Sequence, residues 1–294
     1  MTYLDFSGFI SKYFRGKMQK LSVDGGFTCP NRDGTVGRGG CTYCNNASFS
    51  PGYCREHDSV TAQLEAGKAF FGRKYPDMRY LAYFQSYTGT HAGIDRLVSL
   101  YREALAVDKV DGLIIGTRPD CMPQELLDWL AEVRKEKFVM VEYGAESACD
   151  ATLVRVNRCH TWADTADAVR RTHAAGIQVG LHFILGLPGE DEEVMMKTVD
   201  AINELPVDVV KFHQLQIVRG TRLCADVEAG RESVKSYTVD EYIDLCCDVV
   251  EKLRKDIAIE RFVSQSPADL LVSPRWGLKN YEFTDRLRRR LSQR

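Results

Sequence analysis

The chain has no apolar run approaching the ~18 residues of a membrane-spanning helix, so no membrane contact is expected. It has no basic leader ahead of an apolar stretch either. It opens Met1-Thr-Tyr-Leu-Asp5, which argues against a secretory signal and makes the cytoplasm the expected location. Nor is there an excess of charge of one sign: 39 Lys and Arg face 41 Asp and Glu, a net charge of −2. Attraction of a polyanion by bulk charge is thereby excluded, whereas local basic patches are not. Internal repeats, low-complexity tracts and interdomain linkers are also missing, so the 294 residues are read as one domain. With 44% hydrophobic residues, that length is enough to bury a sizeable core.

What is present is an alternation of short β-like runs with longer helical ones. Strands are expected at Met18–Val23, Tyr80–Phe84, Gly112–Ile115, Phe138–Tyr143, Ile177–Leu185 and Val207–Leu215. Helices are expected at Ser59–Phe71, Ile94–Leu105, Gln124–Lys135, Thr161–Ala175 and Glu190–Asn203. Thr161 with Asp164, and Thr238 with Glu241, are spaced as N-terminal caps. Six strands alternating with helices imply a parallel α/β sheet. The count fits an open doubly wound sheet and a barrel equally well. Both place chemistry at the C-terminal ends of the strands.

Ten cysteines are many for a chain without a secretory signal, where a disulfide framework is not expected. Cys29, Cys41 and Cys44 stand apart from the rest, in a segment with glycines at 34, 37, 39 and 40 that lets the loop fold back. A Cys-x2-Cys pair suits two thiolates meeting one metal centre. Three thiols on a [4Fe–4S] cluster would leave one iron open. A structural zinc needs a fourth ligand, for which Cys54 or His57 is available. A loop thiol pair without metal is the third reading. The other cysteines are scattered, as packed small hydrophobes are.

The cysteine segment, with Tyr43 before its last cysteine, resembles the radical S-adenosylmethionine (SAM) superfamily. Its long gap, and further segments in the same order, are similar to the radical SAM core of the catalytic subunit of Elongator, a tRNA wobble-uridine modifying enzyme. These segments are Gly112–Cys121 with its Thr-Arg-Pro-Asp turn, Val141–Ser147, Val156-Asn-Arg158 followed by His160-Thr161, Gly176–Glu190, and Arg219-Gly-Thr221. Taken whole, with its Ser273-Pro-Arg-Trp276 segment, the chain most resembles the bacterial YhcC/YtqA family of radical SAM proteins.

The resemblance implies a partial (βα)6 TIM-type barrel with a core near 17–225 and a C-terminal helical extension near 236–294. It implies a [4Fe–4S] cluster on Cys29, Cys41 and Cys44, with SAM on its open iron. Reductive cleavage of SAM would give a 5′-deoxyadenosyl radical, fed by an electron donor such as flavodoxin or ferredoxin. Arg158 matches the position facing the SAM carboxylate, and Glu146 the position facing the ribose. Gln85 and Ser86 occupy the place of a Gly-Gly-Glu or Gly-Gly-Thr segment, from which the sequence departs. Ile184 and Leu187 would pack the adenine. Gly116 stands where Elongator has Glu. Arg118, His182 and His213 are substrate candidates, as are Asp24, Tyr87 and Gln214; Arg118 and Asp120 also suit each other as a pair. The Elongator likeness makes tRNA the expected substrate. Its phosphates would meet Lys12, Arg15, Lys17 and Lys20, or the arginines of the tail from Asn280 to Arg294. A small metabolite or protein side chain as substrate, and a zinc-stabilised RNA-binding protein without catalysis, remain open.

Overall fold

The computed structural model describes residues 3–45, 51–75 and 77–294. Nine strands appear among them: β1 Met18–Val23, β2 Arg79–Phe84, β3 Val110–Thr117, β4 Phe138–Glu146, β5 Gln178–Leu185, β6 Val209–Gln214, β7 Ile217–Val218, β8 Ala258–Ile259 and β9 Leu271–Ser273. Seven form one parallel sheet in the order β1-β2-β3-β4-β5-β6-β8, while β7 pairs antiparallel with β9. The strands follow chain order with no reversal. Right-handed crossovers then put every connecting helix on the same face, which is the barrel arrangement and not the doubly wound one. The sheet curls into a half-barrel of seven strands, one more than the six expected. The seventh, β8, has only two residues, too few for periodicity to register.

The two faces of the sheet bury different material. On the helix side, Leu21, Phe84, Ile115, Val141, Leu181 and Phe212 pack with Leu64, Leu97, Tyr101 and Leu126 of the crossover helices. Phe283, Leu287 and Leu291 of the tail helix Asn280–Ser292 join the same core. On the inner side, Leu81, Ile114, Phe138, Met140, Val209 and Ala258 close the bottom of the half-barrel over Phe9 and Ile10 of the short helix Phe6–Ile10. Asp5 caps that helix through Gly8 N at 2.8 Å.

The expected helix starts hold where local chemistry sets them. Thr161–Asp164 and Thr238–Glu241 both form reciprocal capping boxes. Ser59 caps Val60–Phe71, and Asp191 caps Glu192–Asn203.

Candidate active site

A cavity opens at the C-terminal ends of the strands, measuring about 1320 Å³ with its mouth included. Cys29, Cys41, Tyr43, Cys44, Gln85, Glu146, Arg158, Ile184, Arg118, His182 and His213 all line it, as do Tyr87 and Gln214. Ser86, Leu187 and Asp24 do not. Leu187 is buried against Val156, Leu215 and Leu223 behind the wall. Cys54 donates its thiol to Ser22 O at 3.2 Å, and neither it nor His57 lines the cavity. Among the described residues, no three His, Cys, Asp or Glu side chains converge to hold a single ion, as a mononuclear zinc would require.

The cysteine loop is built by backbone bonds. After Cys29 the chain makes one helical turn, Pro30–Asp33, whose Arg32 and Asp33 amides donate to Cys29 O at 2.7 and 3.0 Å. Gly40 N then returns to Asn31 O at 2.8 Å, which folds the loop back so that Cys41 lines the same cavity as Cys29. Asn157 clamps this loop from the other side, donating Nδ2 to Gly40 O at 2.8 Å and to Arg38 O at 3.2 Å. Asn31 Nδ2 lies 3.7 Å from Cys41 Sγ. The Asn-Arg segment and the cysteine loop, more than 100 residues apart in sequence, therefore form one unit.

Arg158 occupies its centre. Its neighbours Asn157 and Cys159 both adopt left-handed backbone, at φ +56° and +60°, which turns the arginine inward. The guanidinium donates to His160 Nε2 at 2.9 Å and to Gly144 O, and it approaches Cys41 Sγ and Glu146 Oε1, each at 3.5 Å. Gly144 is required here, because a Cβ would stand 2.7 Å from Arg158 Nη2. His160 is held neutral by burial and by Arg158, its pKa pushed down to about 3. Its Nε2 accepts from Arg158, so Nδ1 carries the proton and donates to Thr161 O at 3.2 Å.

Glu146 reaches the cavity by a distortion that the sequence did not signal. β4 runs three residues past the expected Tyr143, and its register against β5 slips between Gly144 and Glu146. That bulge, with φ +70° at Glu146, re-aims the side chain. Burial pushes the Glu146 carboxyl up, against the pull of Arg158 and Arg118. Tyr43 stays protonated, since burial and the nearby Cys41 and Glu146 raise its phenol well above the usual value. Arg118, 2% exposed, makes the expected two-pronged pair with Asp120 at 2.9 and 2.8 Å.

Beneath the cavity lies a charged floor that sequence reasoning missed. Glu142, 1% exposed, accepts from Lys20 at 2.8 Å, Lys211 at 2.9 Å and His182 at 2.8 Å. Glu260 accepts from Lys20 at 2.5 Å and Lys211 at 3.2 Å. Lys211 also donates to Tyr83 Oη at 3.2 Å. Burial, together with Lys211, depresses His182 to about 4, so it is neutral and donates to Glu142. This corrects the reading of Lys20 as a phosphate contact. Three of the tail arginines are engaged as well: Arg288 pairs with Asp5, Arg290 with Asp240 and Asp244, and Arg294 with Asp244, Asp248 and Glu251. Arg290 and Arg294 fasten the last helix to its neighbour Val239–Lys252, and Arg288 fastens it to the N-terminal segment.

Comparison with known proteins identifies the family. The model of the radical SAM superfamily matches residues 31–202, and that of the radical SAM C-terminal domain matches 207–293. The uncharacterized protein YtqA of Bacillus subtilis is 34% identical over 285 residues, covering 97% of this chain and 88% of its own. Protein YhcC of Escherichia coli is 36% identical over 272 residues, covering 92% and 86%. A tRNA uridine(34) acetyltransferase of Methanocaldococcus jannaschii is 29% identical over 164 residues, which is 54% of this chain but only 29% of that protein. Among solved structures, Elp3 of Methanocaldococcus infernus superposes with a TM-score of 0.68 at 16% identity, covering 95% of this chain and 64% of that one, and shows the shared fold. No helix among the described residues is long and apolar enough to cross a membrane. By these matches the chain belongs to the radical SAM superfamily and is a radical SAM enzyme, whose cofactors are a [4Fe–4S] cluster and SAM.

Proposed function

We propose that Cys29, Cys41 and Cys44 hold the [4Fe–4S] cluster and that Arg158 and Glu146 seat SAM beside it. One observation carries this: three thiols, all unpaired, line the same cavity as the buried Arg158. The donor set fits, because three thiols spread around a cavity suit a cluster better than a lone ion. When bound, the reduced cluster supplies the electron that splits SAM into methionine and a 5′-deoxyadenosyl radical, which takes a hydrogen atom from substrate.

The chain's own residues do the rest. Arg158 sets a positive charge 3.5 Å from Cys41 Sγ. The same guanidinium suits the SAM carboxylate. Glu146 suits the ribose hydroxyls as an acceptor, and Ile184 offers an apolar surface to the adenine. Gln85, Tyr43 and Ser86 complete the proposed cofactor contacts, Ser86 from behind the lining. Gly116 leaves the wall clear: a Cβ there would already stand 3.2 Å from Phe84 O. Core and C-terminal helices work as one unit in this reading, since they share one hydrophobic core. A flavodoxin or ferredoxin supplies the electron, and ten cysteines outside any disulfide suit the reducing cytoplasm.

The substrate in this proposal is a tRNA wobble uridine, supported by the partial likeness to a tRNA uridine(34) acetyltransferase. A second reading, a small metabolite or protein side chain, is favoured by the paired tail arginines and the buried Lys20, which remove much of the expected basic rim. The test is anaerobic reconstitution with iron and sulfide, followed by SAM and dithionite, with 5′-deoxyadenosine as the readout. Formation dependent on Cys41 supports the chemistry, and stoichiometric zinc without product refutes it. Retention of tRNA at low salt by the reconstituted protein decides between the two substrates.

A further inference from the structure

The cavity contains more positive charge than the proposed cofactor seat uses. Arg158 is spoken for by Gly144, His160 and Glu146, and Arg118 largely by Asp120. Arg261 is not. It follows β8, at the opposite end of the sheet from β1 and its cysteine loop. Arg261 lines the cavity, its side chain forms no hydrogen bond or ion pair among the described residues, and its Nε is buried without a partner.

The surroundings hold Arg261 in place without satisfying it. Its carbonyl accepts from Phe212 N at 2.9 Å. Glu260 before it is committed to Lys20 and Lys211. Ser264 after it is stitched to Gln214, with Ser264 N donating to Gln214 Oε1 at 2.8 Å and Gln214 Nε2 donating to Ser264 O at 2.9 Å. Glu142, the other nearby acid, already has three partners. A second buried cationic donor without a partner, Arg118 Nη1, belongs to the same lining. A guanidinium nitrogen buried without an acceptor is costly, and the strongest acceptor for a charged donor is an anion. Both arginines line the one cavity, so an anion entering it meets Arg261 on its wall.

We propose that Arg261 anchors an anionic group, a phosphate or a carboxylate, of the molecule that shares the cavity with SAM. The inference depends on the proposed cofactor site only in calling that molecule the substrate. Anion binding itself does not require the cluster.

Accordingly, the test uses the protein as purified, without reconstitution. Calorimetric titration at fixed ionic strength compares inorganic phosphate, uridine 5′-monophosphate, uridine and glutarate. Binding of phosphate and uridine 5′-monophosphate, with uridine silent, identifies a phosphate anchor; binding of glutarate alone identifies a carboxylate anchor. In either case R261Q should weaken binding about ten- to a hundredfold, with R261K between the two because it keeps the charge and loses the fork. Equal binding of uridine and its monophosphate, failure of all the anions, or unchanged affinity in R261Q overturns the proposal. The comparison of uridine with its monophosphate needs no variant, so misfolding of R261Q cannot obscure it. Arg261-dependent binding without 5′-deoxyadenosine formation would sink the cofactor assignment and leave this inference standing.

Discussion

The inside of the half-barrel has two polar groups that obey different rules. In the floor, Lys20, Lys211, Glu142 and Glu260 balance two positive charges with two negative ones, and every head group has a partner. In the cavity above, Arg118 Nη1 and Arg261 Nε have none, and Arg158 meets Glu146 only at 3.5 Å. Buried charge that is internally satisfied belongs to the architecture. Buried charge left open is shaped for something brought from outside.

The largest effect should separate the two groups outright. Cys41→Ala should reduce cluster content and 5′-deoxyadenosine formation to background, while the melting temperature of the metal-free protein moves little. Glu142→Ala should do the reverse. It strands Lys20 and Lys211 in the interior and should cost about 3–5 kcal/mol in urea denaturation. If it were as stable as wild type, the floor would not be the structural group.

Arg158→Gln belongs to the cavity group and should raise the dissociation constant for SAM about ten- to a hundredfold, measured by equilibrium binding to the reconstituted protein. The pH dependence sharpens the contrast further. His182 titrates near 4 in the fold against an ordinary value near 6.5. The unfolded chain therefore takes up the proton first, so stability is fully present above about pH 6.5 and is lost as pH falls toward 4. His182→Gln should flatten that part of the stability curve. The smallest effect is expected at the exposed tail: replacing Arg288, Arg290 and Arg294 by Gln should cost less than about 1 kcal/mol each and leave tRNA retention unchanged.

Much of this was legible in the sequence, and the parts that were share a cause. β1 runs from Met18 to Val23 as expected, and both capping boxes form, because alternation and capping involve residues a few positions apart. The resemblance picked out Cys29, Cys41, Cys44, Arg158 and Glu146 from motifs in order, and all five line one cavity. The floor was not. Lys20 and Glu142 lie on strands 122 residues apart, and a charge on a strand looks like any solvated charge until the fold closes over it. The bulge that aims Glu146, and the pairing of the tail arginines with Asp244 and Asp248, depend in the same way on neighbours far along the chain. Arg261 escaped notice because no motif surrounds it; its signal is an absence of partners, visible only in three dimensions.

The bond from Lys20 to Glu260 spans 240 residues. Its consequence is one of timing. While the chain is being synthesised, the first six strands emerge carrying both floor lysines but only one of the two floor carboxylates. Until Glu260 leaves the ribosome, closing the barrel would trap an uncompensated positive charge in a dry interior. The segment after β8 thus supplies the counter-charge that the first strand needs, which makes the earliest and latest parts of the sheet electrostatically dependent on one another.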